Sequence, residues 1–67
     1  MRSDLLYALK QHFIAQSLKH KMNVEVMLHN PTAMHDHTDL MSALENEIEK
    51  ISAYHDKLEV LEKYFSA

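Results

Sequence analysis

Cysteine, glycine and tryptophan are absent from this 67-residue chain, and proline occurs once, as Pro31. Without cysteine there is no disulfide to staple a small fold and no thiolate to bind metal or attack a substrate. Without glycine, the primed turns of two-residue β-hairpins and the phosphate-cradling loops of Walker or dinucleotide type have no residue to carry their backbone. Nucleotide-binding functions of those kinds are excluded. No apolar run approaches the roughly 20 residues of a membrane span, and the N-terminal segment lacks a basic region followed by an apolar one. The expectation is a soluble, unexported protein, with no membrane partner and no cofactor implied.

The length allows one domain, residues 1–67. A chain of this size buries only about 60% of the surface its unfolded form exposes, while ordering it costs roughly 1.5 kcal/mol per residue. With disulfides excluded, the extra stability has to come from a metal or from a second subunit.

What is present is helical. Ser3 is suited to cap a first helix with Asp4 in its first turn, and the pattern runs to about Leu28. Asn30 tolerates a C-terminal cap, and Pro31 restricts the residue before it. Thr38, with Asp36 as the alternative cap, starts a second helix that nothing breaks until about Phe65. The fold class read from this pattern is all-α, an antiparallel helical hairpin with a helix at about 4–28, a turn at 30–37 and a helix at about 39–65.

The second helix carries a coiled-coil-like heptad, with Leu44, Ile51, Leu58 and Phe65 at one position and Leu40, Glu47, Tyr54 and Leu61 at the other, flanked by Ile48 and His55. The first has a matching stripe through Leu6, Leu9, Phe13, Val24, Met27 and Leu28, and His20 sits on it. A second apolar strip runs through Ala8, Ala15, Leu18, Met22 and Val26, and one partner helix cannot cover both. Self-association follows, most simply a homodimer of hairpins forming a four-helix bundle, with Leu18, Met22 and Val26 at the interface. Folding the chain near residue 34 brings Lys21 toward Glu47, a pairing that would make partial burial of that carboxylate tolerable. His20 and His55 are expected to be buried and neutral, so that mild acid should loosen the fold.

Charge is unevenly placed. Residues 1–30 hold four basic and two acidic side chains, and residues 31–67 hold three and eight. The split suits two segments that pack on each other. It argues against nucleic acid as a partner, because Arg2, Lys10, Lys19 and Lys21 do not form one stripe.

The stretch HNPTAMHDHTD, residues 29–39, carries three of the six histidines and two aspartates. His35 and His37 could pinch an ion, with His29 or Asp39 completing the set. The structural reading is that the same residues stop one helix and start the next, with the histidines secondary. Glu-x-x-His pairs of the bundle metalloproteins are missing, as is His-Glu-x-x-His. No arrangement of residues points to catalysis.

The runs HKMNVEVMLHNP (20–31) and LENEIEKISAYHDKLEVLEKYF (44–65) resemble small uncharacterised two-helix proteins encoded by myoviruses that infect marine cyanobacteria, although the linker here lacks the glycine often found in theirs. The resemblance transfers no catalytic residue. It implies a phage accessory protein in the cytoplasm of the infected bacterial host or attached to the virion, meeting a phage or host protein. The function expected is that of a non-enzymatic interaction or scaffold module, and the alternative is a metal-binding helical protein using the linker histidines.

These readings separate in a zinc titration of chelator-treated protein. A turn that only stops and starts helices gives no saturable rise in melting temperature at micromolar zinc. Such a rise, abolished in the His35→Ala/His37→Ala variant, would establish the metal reading instead.

Overall fold

The computed structural model describes residues 1–31 and 37–66, with side chains described for 1–31 and 39–66. Two helices account for nearly all of it: α1 (Arg2–His29) and α2 (His37–Phe65), packed along each other, with no strand among the described residues. They run antiparallel, since Arg2 at the start of α1 reaches the backbone of Phe65 at the end of α2, with Nη2 3.4 Å from the carbonyl oxygen. The all-α hairpin expected from the sequence is the fold observed.

The helix ends extend past the expected bounds for identifiable reasons. Ser3 does not cap α1 but lies inside its first turn. Met1 occupies the cap position with its backbone alone, its carbonyl accepting a hydrogen bond from the Leu5 amide at 3.1 Å. Nothing in Arg2 or Ser3 opposes helical geometry, so the helix continues back to the first available carbonyl. Asp4 keeps its place in the first turn. At the other end, Asn30 leaves the helix at φ −132°, ψ 57°, and both its amide (3.0 Å) and its side-chain nitrogen (3.3 Å) donate to the carbonyl of Val26. Thr38 lies within α2 rather than ahead of it. The alternative cap, Asp36, lies outside the described residues.

The two seams meet in layers one heptad apart. Phe13 and Tyr54 have ring centroids 6.1 Å apart, His20 meets Glu47 seven residues further along α1, and Leu6 and Leu61 line one groove at the open end. By the same step Met27 comes level with Leu40, and both are half-buried. This is the register expected from the sequence to within a residue. The seam of α1 is thus a heptad of its own, Leu6, Phe13, His20 and Met27, with Gln16 and Asn23 on the adjacent row.

No hydrophobic side chain is buried among the described residues; the two buried residues are polar, Ser17 (6% exposed) and His20 (7%). Two cylinders in contact shade one line of each, so even seam leucines such as Leu44 and Leu58 are only half-covered. Three residues that the sequence pattern put in the seams, Leu9, Leu28 and Phe65, are instead exposed, as is Ile48 on the flank, and His55 points outward with Nε2 3.1 Å from Glu59 Oε1. The expectation that His55 is buried is therefore corrected, because no third element covers that side of α2.

The hairpin is a rod of 48 × 15 × 13 Å with a Cα radius of gyration of 15.3 Å, where a compact chain of this length has about 11 Å. Its accessible surface is 5410 Å², roughly 1,000 Å² more than folded monomers of this mass expose.

Candidate functional site

The best-covered point of the seam is a polar clasp. His20 Nδ1 lies 2.5 Å from Glu47 Oε2, and Asn23 Nδ2 donates to the same oxygen at 3.2 Å. The side chains of His20 and Glu47 are only 8% and 18% exposed. The Tyr54 ring stacks on the imidazole at 6.1 Å, with planes 13° apart. The heptad of α1 brings His20 to the contact line, and one turn further on Asn23 comes within reach of the same carboxylate. No buried side-chain nitrogen or oxygen among the described residues lacks a partner.

Glu47 is held below its ordinary carboxyl value of 4.5, chiefly by the hydrogen bond from His20; burial opposes this, and Asn23 and the charges of His20 and Lys50 reinforce it. A carboxylate can only accept, so the hydrogen of the short bond sits on Nδ1 of His20. This corrects one expectation. Glu47 is met by His20 and Asn23 rather than by Lys21, which lies about 100° round the helix from His20 and is exposed.

The candidate interface residues lie on the opposite side of α1. Leu18 and Met22 stand two positions either side of His20, hence about 160° round from it. They are 56% and 55% exposed, and Val26 beside them is 58% exposed. The apolar residues of α1 are spread around its circumference, whereas those of α2 gather on one side. The outer face of α2, with Glu45, Glu49 and Asp56, is charged and exposed.

The metal candidates are not brought together in what is described. His29 Nδ1 donates to the carbonyl of Glu25 at 2.8 Å, with Glu25 Oε2 3.8 Å away. His35 and the side chain of His37 lie outside the described residues, and Asp39 is exposed at the start of α2. Among the described residues, no group of three or more histidine, cysteine or acidic side chains could hold a metal ion.

Ser17, His20 and Glu47 have the residue types of a nucleophile, a base and an orienting acid. Ser17 makes no hydrogen bond to His20, however, and is buried in the helix contact. Grooves at the open end and along α2 are lined by other residues, such as Arg2, Phe65 and Lys57. The clasp orients and locks. The sequence reading missed Asn23 and Ser17 because it sought an apolar seam. The signal that finds them is spacing, since Asn23 follows Gln16 by seven residues and Ser17 precedes Val24 by seven. No helix among the described residues is long and apolar enough to cross a membrane. No family model matches the chain, and neither a curated protein nor a solved structure matches it.

Two outcomes follow from the clasp. Glu47→Leu strands the donors of His20 and Asn23 and should cost about 1–3 kcal/mol in denaturant unfolding, while adding His20→Leu should recover most of that loss; equal cost in both variants would show that the pair does not act as a unit. With the folded carboxyl lowered, the contribution of Glu47 is fully present above pH 4.5 and disappears as pH falls through the lowered value. The gap in melting temperature between wild type and Glu47→Gln should accordingly persist from pH 7.5 down to 5 and close below about 4.5; a gap that closes above pH 5 contradicts this assignment.

Proposed function

We propose that this protein is a small self-assembling helical module, acting by association as a non-enzymatic interaction or scaffold protein, with a homodimer as its basic unit. The observation that carries this reading is the outward apolar strip of Leu18, Met22 and Val26 on a hairpin that has no buried hydrophobic residue among those described. A hairpin of this kind lacks the covered apolar area that stabilises a lone domain, and its surplus surface of roughly 1,000 Å² exceeds the about 800 Å² per partner of a standard stable interface. A second copy supplies the missing cover at no cost in new sequence. The resemblance to cyanophage proteins supports a role as a phage accessory protein in the host cytoplasm or on the virion, where the dimer would display the acidic outer face of α2 to a phage or host protein.

The Leu18→Glu/Met22→Glu variant nearly preserves helix propensity and places charge in the proposed contact. Sedimentation equilibrium over a range of concentrations should show a dimer for the wild type and a monomeric or unfolded variant. An oligomer unchanged by the double substitution defeats the model.

A further inference from the structure

Resting on that reading, we infer that two copies of α1 pack antiparallel through the face opposite the seam, about a two-fold axis that crosses the helix between Gln16 and Ser17. The outer face is itself a heptad: Ala8, Ala15 and Met22 alternate with Gln11, Leu18 and Glu25, all of them exposed. Asp4 and His29 continue the same spacing to the ends of the helix. This sequence of positions reads the same from either end of α1. An antiparallel second copy therefore meets it in register along the whole length, bringing Asp4 opposite His29 of the second copy, Ala8 opposite Glu25, Gln11 opposite Met22 and Ala15 opposite Leu18.

Size and charge both select this direction. At the centre, the small Ala15 faces the large Leu18 twice, so the layers have equal width and the helices approach evenly. A parallel pair would set alanine on alanine and leucine on leucine, leaving gaps beside bulges. It would also set Asp4 on Asp4 and Glu25 on Glu25, stacking like charges at the two ends of one contact, whereas the antiparallel pair sets an acid beside an imidazole and opposes the helix dipoles. Because the contact is isologous it closes at two subunits. Since the strip is opposite the seam rather than beside it, the four helices lie in the order α2, α1, α1, α2. The four-helix assembly is thus a layered ribbon with both α1 helices inside, and not a square bundle.

The absence of cysteine makes the test direct, because one introduced thiol is the only thiol. Ser3 is exposed and off the outer face, and in the antiparallel dimer it lies 27 residues of helical rise from its mate, about 40 Å. Nitroxide-labelled Ser3→Cys protein, measured by pulsed dipolar spectroscopy above the dimer dissociation constant, should give one intermolecular distance near about 40 Å. Mixed under oxidising conditions, Ala8→Cys and Glu25→Cys chains should form the cross-linked heterodimer in preference to either homodimer. A spin-label distance below about 20 Å, or preferred cross-linking of Ala8→Cys to itself, overturns the antiparallel pairing while leaving self-association in place. A chain that sediments as a monomer and gives no intermolecular distance overturns both.

Discussion

A contact between two helices shields one stripe of each, and the flanks of both stay wet. In this hairpin the stripe is occupied in four layers by Leu6, Phe13, His20 and Met27 on one side and Leu61, Tyr54, Glu47 and Leu40 on the other. None of the apolar residues among them reaches full burial. The deepest point of the contact is given to a histidine, a carboxylate and an asparagine. A chain that spends its best-covered site on polar groups gains little net stability there, because the desolvation of the carboxylate offsets most of the attraction.

What the clasp contributes is register. Apolar heptads are nearly indifferent to a slip of one repeat, so an apolar seam alone specifies register weakly. Slipped by seven, Glu47 would face Phe13 and His20 would face Leu40, leaving a carboxylate without donors in the seam. Breaking a buried pair in this way costs about 3–5 kcal/mol when burial is complete, less here, where Glu47 retains some exposure. Polar groups at a single layer therefore penalise the alternative pairings more than they reward the native one, as a lone buried asparagine does in a coiled coil.

Much of this was legible in the sequence because heptad spacing is a property of residue order. The two helices, their antiparallel relation, the seam of α2 and the register could be read before any coordinates. The misreadings have physical causes. Ser3 and Thr38 are good caps, but Arg2 and His37 just ahead of them do not oppose helix, so α1 and α2 extend past them. Lys21 is the charge complement of Glu47, yet angular position on the helix outranks charge, and His20 and Asn23 are on the correct side. His55 lies on the flank of α2, and whether a flank is covered depends on how many elements pack there, which no single helix pattern encodes.

The two helices have unequal tasks. One apolar face is enough for α2, whose outer surface is acidic and exposed, and in the proposed ribbon it would need only one neighbour. On α1, Ser17 in the seam and Leu18 on the outer strip are adjacent in the chain, yet one is buried and the other exposed, so the same few turns of helix would serve both the seam and the proposed contact. In the proposed dimer, hairpin formation and association would be linked through one element: ordering α1 against α2 aligns the outer heptad, and covering that heptad with a second copy would withdraw α1 from the unfolded ensemble. A single hairpin with no buried hydrophobic residue among those described has little covered apolar surface to set against the entropy of ordering two helices, each roughly 40 Å long. In the proposed dimer, folding and association would be one cooperative event, whose midpoint depends on protein concentration.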